Sequence, residues 1–232
     1  MPTASPRRSP DADDRIRDAE RTKQRLLEAA FDEFAERGYA GARVSSIADR
    51  AGVNKQLISY YFGGKPGLHR ELLKRWTTTE QQLRASDASI VDVVTGYLRH
   101  ALQDPRGTRF SLWQALGDAV DDSRPADRSD IQDAERASID REQDDLRVRQ
   151  RAGELPDDLD LPSAQLAFTG MVIAPIVQPG LVAALFDEPA DSPAFADRYC
   201  AAVAEIVRRL GTQPRRHVTD PTTESSSPRS AH

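Results

Sequence analysis

The sequence predicts an all-α protein built from two helical units, and three observations indicate this fold class. Apolar residues recur at the three- and four-residue spacing of amphipathic helices, and no stretch shows the alternation expected of a strand. Glycines and prolines separate the periodic segments. The chain has 232 residues, 38% of them hydrophobic, which is enough for more than one core of ordinary domain size.

The first periodic segment predicts a helix from about Ala19 to Arg37, followed by Gly38 as a stop. Its apolar stripe consists of Leu26, Leu27, Ala30, Phe31 and Phe34. Residues 1–17 before this helix and residues 212–232 at the far end are rich in Pro, Ser and charged groups. Because such segments have little to bury, we expect a disordered arm and a disordered tail.

Two short helices follow and form a helix-turn-helix pattern. The apolar stripe of the first of them consists of Val44, Ile47, Ala48 and Ala51. Gly52 accepts the left-handed conformation with which helices end, and Asn54 can cap the next helix, at about Lys55 to Phe62, through its side-chain oxygen. Short helices joined by about four residues that include a glycine are typical of this motif. We therefore predict a first domain over residues 18–64.

Further helices are predicted beyond the two glycines at 63 and 64. They span about Lys65 to Leu83, Ile90 to Leu102, Arg109 to Val120, Ser129 to Arg151, Ser163 to Ala174, Pro179 to Phe186 and Pro193 to Leu210. Pro66 suits the first turn of its helix, where its missing N–H would be unpaired anyway. Pro175 and Pro179 interrupt an otherwise continuous apolar segment, so we expect a kink or break there. These helices make a second domain over residues 65–211.

The third predicted helix has one face for the core and one for solvent. At about 100° per residue, Ile58 and Phe62 lie about 40° apart, and Tyr60 points in the opposite direction. The outward arc consists of Tyr60 with Gln56, Leu57 and Ser59 beside it. A helix of this kind fits the major groove of DNA, where a glutamine can pair with adenine, a leucine can contact a thymine methyl and a tyrosine can do either.

Residues around this helix suit contacts with phosphate. Tyr61 offers a hydroxyl, and Lys65 places a charge beside the N-terminus of the following helix, whose free N–H groups also favour anions. Arg43 and Ser45 hold the corresponding place at the start of the second helix. Lys55, in the first turn of the third helix, can reach either a base or a phosphate.

The charge distribution agrees with a local site for a polyanion. The whole chain has a net charge of −5, but residues 37–76 contain eight basic side chains and only two acidic ones. Attraction to phosphate must therefore come from this patch. The arginines of the N-terminal arm have two interpretations, a segment that follows a DNA groove or, more simply, solvated charge.

The sequence also excludes several classes of protein. Cys200 is the only cysteine, which excludes an intrachain disulfide framework and a zinc site built on several thiolates. No stretch has the length of a membrane span, and the N-terminus lacks the apolar core of a signal peptide, so we expect a cytoplasmic protein without a membrane partner. The motifs of zinc proteases, serine hydrolases and nucleotide-binding loops are absent, so we expect neither an enzyme nor a cofactor.

The motif lies within a longer pattern, AFDEFAERGYAGARVSSIADRAGVNKQLISYYFGGKPGLHRELL, that resembles the DNA-binding region of the TetR family of bacterial transcription regulators. The matching positions are Gly38 and Tyr39, Ile47 and Ala48, Ala51 to Val53, Tyr61 and Phe62, and Lys65. The resemblance covers about residues 19 to 76. Ala42 and Arg43 depart from it, because the family commonly has hydroxyl residues there, and the cap of the second helix is left to Ser45 or to no side chain. Changes between Asn54 and Ser59 prevent the operator from being carried over from relatives.

The resemblance implies a homodimer that binds a palindromic double-stranded DNA operator and an unidentified small-molecule effector. It implies that the last two helices dimerise, that the effector binds in the helical C-terminal domain, and that a shift of the fourth helix then releases a repressor from DNA. The alternative is an effector-independent regulator whose C-terminal domain only dimerises or binds a protein partner.

Two sets of C-terminal side chains are candidates for these roles. A dimerisation stripe on the last helix consists of Phe195, Tyr199, Ala202, Val203, Ile206 and Leu210, with the small residues Cys200 and Ala201 beside it. The candidate effector-binding residues are Trp76, Tyr97, His100, Phe110, Trp113, Phe168 and Met171. Aromatic residues at helical spacing more often form a core, and a lone histidine such as His100 more often has a structural role.

Overall fold

The computed structural model describes residues 12–84, 88–120 and 129–211, and within these ranges it contains ten helices and no strand. The helices are α1 (Ala12–Gly41), α2 (Val44–Ala51), α3 (Gln56–Phe62), α4 (Lys65–Arg84), α5 (Ile90–Gln103), α6 (Arg106–Val120), α7 (Ser129–Arg151), α8 (Leu161–Val177), α9 (Pro179–Phe186) and α10 (Pro193–Gly211). The predicted all-α fold class is confirmed. Residues 1–11 of the predicted arm and the whole predicted tail, residues 212–232, lie outside the described residues.

Helix α1 is longer than predicted at both ends. It begins at Ala12, so residues 12–17, expected as part of a disordered arm, are helical instead. Hydrophobic periodicity could not mark this turn, because its one large apolar residue, Ile16, is exposed to solvent. At Gly38 the backbone leaves helical geometry (φ 65°, ψ 177°), as expected of a stop, and then resumes it as far as Gly41.

A first core cluster joins α1, α2, α3, the start of α4 and, from much later in the chain, α6. Phe34, Ile47, Ile58 and Leu68 are fully buried in it. Phe110 of α6 belongs to the same cluster. The core of the N-terminal unit therefore extends past the predicted domain boundary at residue 64.

Helix α6 is tied to α1 by aromatic contacts. The ring of Phe110 lies 5.8 Å from the ring of Phe31, edge to face, and 5.3 Å from that of His69 on α4. The indole Nε1 of Trp113 donates to the carbonyl oxygen of Ala35 at 3.2 Å. The same indole covers Gly38, where a Cβ atom would lie 2.8 Å from it.

An arginine clamp adds charge pairing to this contact. Arg106, the first residue of α6, donates to Glu28 at 2.6 Å and to Asp32 at 2.9 Å, both on α1. Its guanidinium also binds Asp104 in the preceding loop and lies 5.0 Å from the ring centroid of Phe31. The hydrogen bonds that Arg106 donates lower the pKa of Asp104. The same bonds, to Asp104 first and then to Glu28 and Asp32, raise the pKa of Arg106.

A second core cluster joins α5, α7, α8 and α10. Leu98, Phe168, Val203 and Val207 are among its buried members. Buried Arg149 of α7 holds the entry to α5 in place, since it donates to the carbonyl oxygen of Ala88 at 2.7 Å.

The apolar segment between Leu161 and Phe186 is broken, as predicted from its prolines. Pro175 lies in the last turn of α8, Pro179 is the first residue of α9, and the two helices meet at 89°. Among the described residues no single helix has the length and apolar character to cross a membrane, although this bent pair satisfies both criteria jointly.

Candidate nucleic-acid interface

Helix α3 presents a polar face to solvent, as its periodicity predicted. Ile58 is fully buried, and Phe62 is partly buried against the first core cluster. Gln56, Ser59 and Tyr60 are exposed, and Tyr60 most of all, at 78%. The outward side chains thus offer an amide, a hydroxyl and an amphipathic ring, groups that suit base edges in a groove.

Two of the predicted DNA-binding residues on α3 are shared with the core. Leu57 and Tyr61 are half-buried and pack against the first core cluster. The Tyr61 ring also contacts that of Tyr60, with centroids 5.0 Å apart, and has the ammonium of Lys23 5.7 Å from its centroid. Tyr61 therefore links α3 to α1 and remains partly exposed.

Local sequence chemistry holds α3 in this position. Gly52 adopts the left-handed conformation (φ 65°) that ends α2 and turns the chain towards α3. Asn54 accepts the N–H of Gln56 through its side-chain oxygen at 2.9 Å, which confirms the predicted cap. Gly63, also left-handed, ends the helix.

The start of α2 forms a second exposed edge. Arg43 occupies the N-cap position, makes no side-chain capping hydrogen bond and is exposed, as is Ser45. The sequence left two alternatives for the cap of α2, the side chain of Ser45 or no side chain. In the structure, a side chain of α1 accepts a hydrogen bond at this position instead. The N–H of Arg43 donates to Oε1 of Glu33 on α1, at 3.2 Å.

At the start of α4, Lys65 is half-buried rather than fully extended into solvent. Its ammonium lies 4.6 Å from the ring centroid of Tyr39. Burial lowers the pKa of Lys65, an effect that the negative charge of Glu33 opposes. Lys65 begins α4 three residues after the end of α3 and remains partly exposed.

Not all basic side chains of residues 37–76 face this surface. Arg50 turns back to α1, where it binds both carboxylate oxygens of Glu36, at 3.0 and 3.1 Å. Arg75 donates to Gln24. Arg43, at the N-cap of α2, and Lys55, just before α3, are exposed. The positive charge available to DNA is therefore smaller than the sequence count indicated.

The predicted effector-binding residues are divided between separate parts of the fold. Phe110 is 1% exposed in the first core cluster, and Trp113, also on α6, packs against α1. Phe168 is buried in the second cluster, and Met171 packs against it. Tyr97 and His100 are half-buried on α5, and Trp76 lies against α6 at Gly107. Within the described ranges, no group of three or more His, Cys, Asp or Glu residues is arranged to hold a metal ion.

Sequence reasoning missed two charged residues that organise this region, Glu33 and Arg106. A signal for Glu33 was present, because it follows Leu26 by seven residues and Ala30 by three, which puts a carboxylate on the apolar stripe of α1. No comparable signal exists for Arg106, since its partners Glu28 and Asp32 are more than 70 residues away in the chain.

Comparison with known proteins agrees with this geometry. Residues 26–72 match the family model of bacterial regulatory proteins of the tetR family. The HTH-type transcriptional repressor SCO4008 of Streptomyces coelicolor is 51% identical over 59 residues, which cover 25% of this chain and 31% of that protein. The HTH-type transcriptional regulator RutR of Escherichia coli K12 is 32% identical over 105 residues, 42% of this chain and 49% of RutR. The match thus spans less than half the length of either curated relative.

Solved structures extend the likeness to the C-terminal helices. The transcriptional regulator SCO4942 from Streptomyces coelicolor superposes with a TM-score of 0.65 at 25% identity, over 83% of this chain and 99% of that one. FadR from Bacillus subtilis, a transcriptional regulator, superposes with a TM-score of 0.54 at 19% identity, over 79% and 96% of the two chains, and shares the fold. These relatives are transcription regulators and not enzymes. From the matched motif and the exposed α3, residues 26–72 form a helix-turn-helix region similar to that of the tetR family of bacterial regulatory proteins, and the remaining helices share the fold of solved regulators.

Proposed function

We propose that the protein is a cytoplasmic, ligand-responsive repressor that binds a palindromic DNA operator as a homodimer and is released by a small-molecule effector. The observation that carries the DNA-binding part is the outward face of α3, where Gln56, Ser59 and Tyr60 are exposed, together with the exposed cations Lys55, just before α3, and Arg43, at the N-cap of α2. Side chains that hydrogen-bond bases, flanked by cations that attract phosphates, are what a groove-reading helix requires.

Exposed apolar side chains support the homodimer. They are concentrated on α8, α9 and α10: Leu166, Val177, Leu181, Leu185 and Ile206. The predicted stripe on α10 is split, since Phe195 and Val203 are buried within the chain whereas Ala202 and Ile206 are exposed. The proposed dimer surface therefore combines the exposed half of α10 with α8 and α9. A dimer with two-fold symmetry suits the two half-sites of a palindromic operator.

Two buried donors support effector binding. Within the described residues, Trp76 Nε1 on α4 and Gln114 Nε2 on α6 are buried without a hydrogen-bond acceptor. Buried donors without partners are uncommon in proteins, and a ligand that carries an acceptor would satisfy them. FadR from Bacillus subtilis, which shares the fold, was solved in complex with stearoyl-CoA.

The burial of Phe110 and Phe168 in two separate cores favours a second candidate, an effector-independent regulator. Tryptophan emission distinguishes the two. Trp76 and Trp113 are the only tryptophans, and both lie where α6 meets α4 or α1. We expect a stoichiometric change in emission when the effector is found by screening metabolites that carry a carboxylate or carbonyl group, and operator release by the same compound. If no compound in the screen changes the tryptophan emission or releases the operator, the second candidate is supported.

Selection from a randomised duplex pool tests the DNA-binding part. We expect the purified protein to select two half-sites in inverted repeat, about 34–36 Å apart or a multiple of this. Gln56→Ala and Tyr60→Ala should change the preferred bases at fixed positions, because each loses a contact to a base edge. Ser45→Ala, at a phosphate-facing edge, is the matched control and should weaken binding without changing preference. Unchanged preference in both α3 variants contradicts their role as readers.

A further inference from the structure

The proposed DNA-facing surface consists of the start of α2, with Arg43 and Ser45, and the outward face of α3. In the same unit, the side chain of Glu33 is fully buried, with 0% of the residue exposed. Its Oε1 accepts the backbone N–H of Arg43 at 3.2 Å. Two guanidinium groups lie somewhat farther away, that of Arg37 at 3.6 Å and that of Arg50 at 3.7 Å. A charged side chain in such a place is expensive unless it has partners, so its presence on an apolar stripe calls for a role.

Glu33 does the work of a helix cap from a different helix. In a capping box, a Glu or Gln at the third position of a helix accepts the N–H of the N-cap residue, while the N-cap side chain accepts an N–H in return. In α2 the third position is Ser46 and the N-cap is Arg43, which makes no side-chain capping bond. Glu33 supplies the missing acceptor, and because it extends from α1 it also fixes where α2 begins relative to α1.

The second oxygen of the carboxylate reinforces this position electrostatically. Among the described residues, Oε2 of Glu33 has no hydrogen-bond donor within bonding distance, and Nη2 of Arg50 is its ion-pair partner. The positive end of the α2 macrodipole points towards the same carboxylate. These interactions hold the start of α2 against α1. The start of α2 is the part that presents Arg43 and Ser45 to solvent.

We propose that Glu33 is a positioning residue for DNA binding, which holds the N-terminal edge of α2 so that Arg43 and Ser45 meet the phosphate backbone. This inference rests on the proposed DNA-binding function. The expected direction of the change in affinity distinguishes positioning from simple charge repulsion. Removing a negative charge near DNA should by itself strengthen binding to phosphate. A variant without this carboxylate that binds more weakly must therefore have lost the position of α2.

Three variants of the full-length protein test the proposal, with the operator chosen by selection and affinity measured as a function of salt. Glu33→Leu removes the acceptor and should weaken binding by about tenfold, the size expected for a lost bond to a charged group. It should also reduce the salt slope by about one phosphate contact, as Arg43 loses its place. Glu33→Gln keeps an acceptor of nearly the same shape, and should bind as tightly as the wild type or up to about threefold more tightly.

Glu36→Leu is the matched control. Glu36 lies one turn further along α1, also pairs with Arg50 and is exposed, and the hydrogen bonds of its carboxylate go to Arg50 and not to Arg43. Glu36→Leu removes one negative charge, as Glu33→Leu does, and should not weaken DNA binding. The proposal is overturned if folded Glu33→Leu matches Glu36→Leu in affinity and salt slope, or if Glu33→Gln is as weak as Glu33→Leu. A wild-type protein that binds no duplex overturns the proposed function instead.

Amide hydrogen exchange keeps the proposal testable if Glu33→Leu does not fold. The Arg43 N–H precedes the first turn of α2 and has Glu33 as its acceptor. In both the wild type and Glu33→Gln, the Arg43 amide proton should exchange at least about tenfold more slowly than the amide proton of Ser45, two residues later. The reason is that residue 33 accepts a hydrogen bond from the Arg43 N–H in the folded state. Exchange as fast as that of an unprotected amide in the folded wild type overturns the proposal.

Discussion

At the scale of single residues, the DNA-facing surface depends on side chains with two possible partners. Lys65 is the clearest case, since its ammonium lies 4.6 Å from the ring centroid of Tyr39 and its pKa is lowered by burial. Tyr61 similarly serves both the core and the surface. A phosphate that approaches α4 competes with the Tyr39 ring for the same charge, and a direct ion pair is the stronger of the two contacts.

Replacing Lys65 with alanine should weaken DNA binding uniformly across sequences and reduce the salt slope by about one, as for the loss of one phosphate contact. Binding isotherms at several salt concentrations, with operator and random duplexes, measure both effects. Lys74→Ala, an exposed change two to three turns further along α4, is the control and should leave the slope unchanged. An unchanged slope for Lys65→Ala would mean that the ammonium stays on Tyr39 in the complex.

At the scale of elements, α6 contacts helices of both cores, α1 of the first and α5 and α8 of the second. Its residue Phe110 completes the first cluster, while its first turn is fixed by the Arg106 clamp. Contact with α4 is made at Gly107, where a Cβ atom would lie only 1.9 Å from the indole of Trp76. A movement of α6 must therefore displace side chains on both α1 and α4. Through these two helices, a change in the C-terminal helices can alter the DNA-facing surface.

Gly107→Ala should destabilise the protein by about 2 kcal/mol, because the added methyl group must displace the Trp76 ring from a packed site. Urea unfolding followed by tryptophan emission measures the change and reports the environment of Trp76. Gly96→Ala is the matched control, since a Cβ atom there would meet nothing within 4 Å in the middle of α5. It should stabilise the protein by about 0.5–1 kcal/mol through helix propensity. Equal effects of the two changes would refute the close approach of α4 and α6.

The clamp between α1 and α6 predicts a pH dependence. The pKa of Asp104 is below its ordinary value of 3.8 because of the hydrogen bonds from Arg106, so the pair contributes stability above pH 3.8 and loses it as pH falls through the lowered value. Asp104→Asn should therefore cost about 1 kcal/mol or less at pH 7, since the carboxylate is partly exposed. The difference from wild type should vanish in acid. Asp197→Asn, an exposed change on α10, is the control, and a difference that persists at pH 2 would contradict the assignment.

At the scale of the whole molecule, the chain consists of a DNA-facing unit and a second helical core that leaves a large apolar surface on α8, α9 and α10. Leu166 is 74% exposed and Leu185 is 68% exposed, values that are costly for a monomer when they lie on neighbouring helices. Two copies that cover this surface would also present two α3 helices to one duplex, and the avidity of the pair would exceed that of either copy.

Leu166→Arg should convert the proposed dimer to a monomer at micromolar concentration, because two like charges would meet near the two-fold axis. Operator affinity should fall at least tenfold with it, since the second half-site contact is lost. Sedimentation velocity and binding isotherms measure the two effects. Leu116→Arg is the control, because Leu116 is 59% exposed but lies on α6, and it should change neither. A dimeric Leu166→Arg variant would exclude α8 from the interface.

The sequence by itself determined the helices and the two faces of α3. The end of α2 at Gly52, the bounds of α9, the Asn54 cap and the break at Pro179 all agree with prediction, because they depend on contacts within a few residues. Periodicity within one helix says which residues share a face, and that was sufficient for Ile58 against Tyr60.

Only the tertiary structure decided which faces meet. Phe110 and Trp113 of α6 pack against α1, the stripe of α10 is divided between a buried and an exposed half, and Glu33 of α1 accepts a hydrogen bond at the start of α2. Each of these outcomes pairs groups that are distant along the chain or on different helices. Local spacing carries no information about such partners, because they are chosen by how whole helices pack and by which buried polar groups can be satisfied there.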